Sequence, residues 1–189
     1  MKKTALLIAC FAVIAAVHAD IIPVFTGTSP SGTNTVWGYQ IDITSSQQVT
    51  TGDFFTIYDF GPFISGSNAQ PTGWTFSSSL LTAPPSGTIP PDDPTLLNLT
   101  WTYTGTTTIP TNSTVGPFSV TITGTQFQEA PRTRASYFAA QATRTGGSGS
   151  KISNVGQIPV PVAIPEPTTL SLLALGAAGA AARAFRRRK

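Results

Sequence analysis

The chain of 189 residues has one cysteine, one histidine and one methionine, and a tenth of it is charged. Cys10 and His18 both fall within the first nineteen residues, so everything after them lacks thiol and imidazole. For that remainder a disulfide framework, a zinc site of the Cys/His kind and any Cys-His or Ser-His-Asp mechanism are excluded. Basic side chains are scarce as well. Lys2 and Lys3 open the chain and Arg183, Arg186, Arg187, Arg188 and Lys189 close it. Only Arg132, Arg134, Arg144 and Lys151 lie between, against Asp20, Asp42, Asp53, Asp59, Asp92, Asp93, Glu129 and Glu166. The formal net charge of +3 thus belongs to the termini, and the body is mildly acidic. A nucleic-acid partner needs a basic face with several phosphate-reaching side chains, so none is expected. Sustained helical periodicity and internal repeats are absent too. A body of roughly 130 residues can still bury a sufficient core without disulfides.

What is present begins with a basic start, Lys2-Lys3, followed by the uncharged apolar run Ala5–Val17. Val17-His18-Ala19 sets small residues where a signal peptidase reads them, which predicts a secretory signal over 1–19 and cleavage between Ala19 and Asp20. The run falls short of the roughly 20 residues that span a bilayer as a stable helix. Leu7-Ile8-Ala9-Cys10 has the look of a lipoprotein box. The Cys comes too early in the apolar run for that, and reads as a small apolar residue within it.

The other end is more specific. Pro159 and Pro161 punctuate Ile158–Ile164, Pro165-Glu166-Pro167 follows, and Thr168–Ala182 is uncharged and rich in Leu, Ala and Gly. Thr168 or Thr169 can cap a helix after Pro167. From Thr168 to Phe185 such a helix is about 27 Å long, matching a thin bilayer core, with Arg183 snorkelling to the interface. The terminal basic cluster, Arg183, Arg186, Arg187, Arg188 and Lys189, resists translocation. With the N-terminus exported, the body is expected outside the inner membrane. Gly176 and Gly179 give this helix a small-residue face that suits packing against another helix.

This ordered set resembles the PEP-CTERM sorting signal of Gram-negative bacteria: Pro165-Glu166-Pro167, the helix directly after it and the Arg-rich end. The resemblance covers about 25 residues. It implies recognition of Pro165, Glu166 and Pro167 by an exosortase-type membrane protease, processing near the motif, and release or attachment at the surface. Species that make exopolysaccharide often carry such proteins.

Between the two ends, period-two alternation predicts strands. Trp37, Tyr39, Ile41 and Ile43 share one face. Leu97, Leu99, Trp101 and Tyr103 alternate with Asn98, Thr100, Thr102 and Thr104, and Phe118, Val120 and Ile122 alternate with hydroxyl residues. Asp53–Phe60 carries aromatics on both faces and reads as a central strand. Gly73–Ser79 and Ser136–Thr143 are weaker strands, and Ala139, Ala140 and Ala142 leave helix open for the second. Turn signals separate these runs. The expected fold is all-β, an antiparallel β-sandwich, with a barrel as the alternative. The organisation expected is a signal peptide over 1–19, an ectodomain over 20–145, a Gly/Ser-then-Pro-rich spacer over 146–164 and a sorting tail over 165–189. The composition of 146–150 is that of a flexible linker. The body also has some likeness, through Gly52–Phe60 and Pro94–Thr104, to ectodomains that carry this tail.

Little points to chemistry. Asp92-Asp93 in a Pro-rich turn offers oxygens to calcium, but two adjacent carboxylates supply few of the six or more it takes. A glycosidase needs two opposed carboxylates, and Asp42, Asp53, Asp59 and Glu129 are available without a motif that singles out a pair. They read as outward strand or turn residues. Trp37, Trp74 and Trp101 could stack on sugar rings, although aromatics of a sandwich usually fill its core. Trp101 reads as core and Trp74 as the best candidate for exposure. Asn98-Leu99-Thr100 and Asn112-Ser113-Thr114 fit a glycosylation pattern that carries little weight in a bacterium. The reading is therefore a non-enzymatic protein of the cell surface or extracellular matrix, with no cofactor and no metal. Its partners are Sec-type export machinery, signal peptidase and an exosortase. A carbohydrate-binding module for exopolysaccharide, or a carboxylate-dependent secreted hydrolase, are the alternatives.

Overall fold

The computed structural model describes residues 21–123, 127–129, 137–146 and 149–163. The signal segment with Ala19 and Asp20, the residues Pro165, Glu166 and Pro167, and the basic end from Arg183 to Lys189 lie outside them. Every described element is a strand. Among the described residues no helix is long and apolar enough to cross a membrane.

The alternating segments fold as their periodicity demands. β2 (Asn34–Ile43) buries Trp37, Tyr39, Ile41 and Ile43. β6 (Asn98–Tyr103) buries Leu99, Trp101 and Tyr103, and β7 (Ser113–Ile122) buries Phe118, Val120 and Ile122. The remaining strands are β1 (Ile21–Ser31), β3 (Gln47–Gln48), β4 (Phe54–Ile57), β5 (Trp74–Ser79), β8 (Phe127–Glu129), β9 (Tyr137–Arg144), β10 (Lys151–Gln157) and β11 (Pro161–Ala163). All pairings are antiparallel. One sheet runs β1-β2-β7 and a second runs β10-β9-β4-β6-β5, with β3 paired to β9, while β11 and β8 form a third, two-stranded sheet. The aromatic β4 is interior to the second sheet, as its two-faced pattern requires.

The two larger sheets share one core. Phe118 of the first sheet points its ring edge-on at Phe55, Trp74 and Trp101 of the second, at centroid distances of 5.0, 5.1 and 5.8 Å. Phe55 and Trp101 stack at 5.1 Å, and Trp37 meets Phe60 edge-on at 6.3 Å. Such rings supply large buried areas together with favourable quadrupole geometry. The three indole N–H groups are buried and have no acceptor among the described residues. Their rings therefore stabilise by area and ring contact rather than by hydrogen bonds.

One open alternative closes and three local expectations change. Residues 137–143 are the strand expected rather than the helix left open: β9 lies between β10 and β4, where small Ala139, Ala140 and Ala142 fit among closely packed neighbours. Trp74, the best candidate for exposure among the three, is only 5 % exposed, because Phe55, Tyr103 and Phe118 enclose its ring. Asn98, expected outward, is fully buried by side-chain hydrogen bonds described below. The spacer expected over 146–164 instead supplies β10, which pairs with β9 from Lys151↔Thr143 to Gln157↔Tyr137. Without it the edge of β9 would be left unpaired. Gly156 faces Phe138 there, and a Cβ on it would come within 2.5 Å of that ring. Beyond β10, Ile158 and Val160 enter the core, the Tyr39 hydroxyl donates to the Pro159 carbonyl at 2.9 Å, and β11 pairs with β8.

β1 was hidden from sequence by Pro23, Gly27 and Pro30. It is the edge strand of its sheet, where a missing N–H is tolerated, and its register shifts between Phe25 and Gly27.

Candidate functional site

The residue types able to do chemistry here are the carboxylates, and the fold keeps Asp42, Asp53 and Asp59 apart from one another. Asp42 lies on β2, where Thr114 Oγ1 donates to it at 2.7 Å. Asp53 and Asp59 flank opposite ends of β4, whose four residues alone set them about 13 Å apart along the strand direction. That exceeds the separations used by glycosidases, roughly 5–9.5 Å. Glu129 belongs to β8, and its side chain lies outside the described set.

Asp53 is not the outward residue expected. It follows the Thr50-Thr51-Gly52 turn, where Gly52 has a φ of 90°, and its side chain is fully buried. Oδ2 accepts from the Thr50 amide at 2.8 Å and from Thr143 Oγ1 at 2.8 Å. Oδ1 accepts from Lys151 Nζ at 2.6 Å. The ammonium also donates to Thr143 Oγ1 at 2.8 Å and Thr50 Oγ1 at 3.2 Å. A buried carboxylate with every neighbour a donor is a satisfied one, and losing any partner leaves it costly. The Lys151 side chain is 38 % exposed, so water shares its charge and weakens the pair. Its structural consequence is plain: the first residue of β10 is tied to the turn before β4, across 98 positions of sequence.

A second acidic group was only half visible in the sequence. Asp59 joins Asp92 and Asp93 through Asn98. The Asp59 amide donates to Asn98 Oδ1 at 2.8 Å, Asn98 Nδ2 donates to Asp92 Oδ1 at 2.9 Å, and the Asp93 amide donates to Asp59 Oδ1 at 2.8 Å. Asp92 Oδ2 accepts from the Thr82 amide at 3.2 Å, and Asp93 Oδ1 accepts from the Thr95 amide and hydroxyl at 2.9 and 2.7 Å. Burial raises the Asp59 carboxyl; the Asp93 amide works against that, and the charges of Asp92 and Asp93 add to it. The Thr95 hydroxyl, then its amide, hold Asp93 below the usual carboxylate range. Burial, and then the charge of Asp92, push the Tyr58 hydroxyl up to about 12. These carboxylates spend their oxygens fastening the long connection between β5 and β6. Among the described residues no group of three His, Cys, Asp or Glu is placed to hold a metal ion.

Trp37, Trp74 and Trp101 are all buried, so none of the three offers a stacking surface. What the fold does build is an approach to the C-terminal tail. β10 is fastened by Lys151, Ile158 and Val160 are set in the core, and β11 ends at Ala163. One residue, Ile164, then separates the last strand from Pro165-Glu166-Pro167.

The segment that begins at this junction belongs to a recognised class of export signal. Residues 163–188 match the family model of the PEP-CTERM protein-sorting motif. The chain thus carries a PEP-CTERM sorting motif, the mark of an exported protein sorted through an exosortase. No curated protein matches the chain.

Proposed function

We propose that this chain is a non-catalytic protein of the cell surface or extracellular matrix. An N-terminal signal over 1–19 exports it. Its body then folds outside the cytoplasm as a β-sandwich ectodomain. The helix after Pro167 holds it transiently in the inner membrane, and the cluster from Arg183 to Lys189 stops it on the cytoplasmic side. An exosortase reads Pro165, Glu166 and Pro167 and processes the chain there. Exopolysaccharide is the matrix partner in keeping with that destination. The observation that carries this reading is the sorting-motif match at 163–188, one residue of which closes the last strand.

Intact-mass analysis of the mature protein from the producing bacterium tests it. The expected chain starts at Asp20 and ends near Glu166, and Glu166→Ala leaves the tail uncut. A mature protein that still carries Lys189, or one that keeps Met1, overturns the reading.

A further inference from the structure

Across the second sheet the strand ends form a row. Ser79 pairs with Asn98, the Tyr58 amide donates to the Tyr137 carbonyl at 2.8 Å, and Tyr137 pairs with Gln157. The connection between β5 and β6 therefore leaves the sheet at the same pole as the chain that exits β10, about 19 Å away across four strand spacings. The first sheet contributes its β1–β2 hairpin to this pole, because Trp37 rests on Phe60 and Phe60 bonds to Leu97. β7 also ends there, with Ile122 opposite Thr35. Ala163 pairs with Phe127, only five residues beyond Ile122.

The connection that leaves this pole carries three of the five exposed large apolar side chains among the described residues. Leu80 is 48 % exposed, Leu81 63 % and Ile89 94 %. They are displayed by a pinned loop. Ser79 Oγ donates to the Leu81 carbonyl at 2.7 Å, the Thr82 amide is held by Asp92, and the Thr88 hydroxyl donates to the Pro85 carbonyl at 2.7 Å. Pro85 and Pro90 are buried on either side of Ile89. The backbone that carries these side chains therefore has little conformational freedom left to lose on binding.

We propose that Leu80, Leu81 and Ile89 form a membrane-contact surface that rests in the lipid interface while the tail is anchored. This rests on the tail lying in the bilayer as stated above. Five residues from Ala163 to Thr168 reach at most about 17 Å even when fully extended. The pole that carries the loop is thus kept within reach of the headgroups, and it presents apolar side chains there. Residues 80–97 include no Lys or Arg and two Asp, so the lipid is zwitterionic rather than anionic and the contact is insensitive to salt.

The test uses the full chain with Cys10→Ser, which leaves no native thiol to compete for label. Leu81→Cys, Ile89→Cys, Ala177→Cys and Thr106→Cys are each labelled with an environment-sensitive fluorophore. The proteins are reconstituted into phosphatidylcholine vesicles that contain a nitroxide quencher, placed at headgroup level for positions 81, 89 and 106 and deep in the acyl chains for position 177. Thr106 is exposed and lies beyond Tyr103, at the opposite end of β6. The probes at 81, 89 and 177 should shift to the blue and lose intensity, with the probe at 106 unchanged. If 177 is quenched while 81 and 89 stay as wet as 106, the contact is wrong and the anchor stands. If 177 is not quenched, the anchor fails and takes the contact with it. Shielding of 81 and 89 only in native membranes that contain the exosortase would make this a protein-docking surface and overturn the lipid proposal. Unchanged thermal unfolding of the 81 and 89 variants, both altered at exposed sites, establishes that the readout reports position rather than misfolding.

Discussion

Residues 80–97 and 146–163 are eighteen-residue stretches of similar appearance, each broken by Pro and Gly. Their fates differ. The first stays a loop and shows Leu80, Leu81 and Ile89 to solvent; the second becomes β10 and β11 and buries Ile158 and Val160. Two physical differences account for this. The first carries five prolines, each without an N–H to give a ladder, and both edges of β6 are already occupied by β5 and β4. The second has no proline from Lys151 to Gln157 and meets the open edge of β9. Side-chain fastening differs as well. Lys151 ties the second stretch to a fully buried carboxylate, whereas the loop is held by partly exposed ones. Overall composition does not separate a linker from a strand; a proline-free run that meets an open edge does.

The largest effect is expected from untying that strand. Asp53→Ala leaves the Thr50 amide, the Thr143 hydroxyl and the Lys151 ammonium without their acceptor, and should cost about 3 kcal/mol in chemical denaturation. Faster hydrogen exchange along Lys151–Gln157 should accompany it. A loss near zero with β10 still protected would mean that pairing with β9 suffices without the latch. Next comes Ile158→Ala, expected to cost about 2 kcal/mol through the cavity it leaves. A neutral result in thermal unfolding would return 158–163 to the status of a spacer.

The smallest effect lies at Asp59, which fastens the loop, and has the opposite sign. The folded-state pKa of Asp59 is raised, so the native protein holds its proton more tightly than the unfolded chain does. Its charge therefore penalises the fold at neutral pH, and the penalty fades as pH falls through the folded value and below the unfolded one. Asp59→Asn removes the penalty and keeps an acceptor for the Asp93 amide. Asn also tolerates the left-handed φ of 53° at this position. Stability should rise by under about 1 kcal/mol at pH 7 in low salt and show no gain at pH 3. A gain that persists in acid would assign the effect to backbone conformation rather than to charge.

Period-two patterning made β2, β6 and β7 legible, because one buried face sorts residues by polarity whatever the neighbouring strand. The central position of β4 was legible for a related reason, since aromatics on both faces need cover on both. β1 was not, because its prolines and glycine are permitted only by an edge position. β9 was ambiguous because alanine suits helix in isolation and a crowded sheet centre in context. The sorting motif was legible in full, since it is read as a short linear segment. The Asp53–Lys151 pair and the joining of Asp59 to Asp92 and Asp93 were invisible, because their partners are brought together only by strand order.

Local chain chemistry by itself determined the all-β character, the faces of the alternating strands and the identity of the tail. Each depends on residues within a few positions of one another. Tertiary structure alone decided that β10 closes the sheet, that Trp74 is core, that Asp53 is buried and that the folded body reaches to within one residue of Pro165. Those outcomes depend on which edges and cavities distant strands leave open, a quantity no local window of sequence contains.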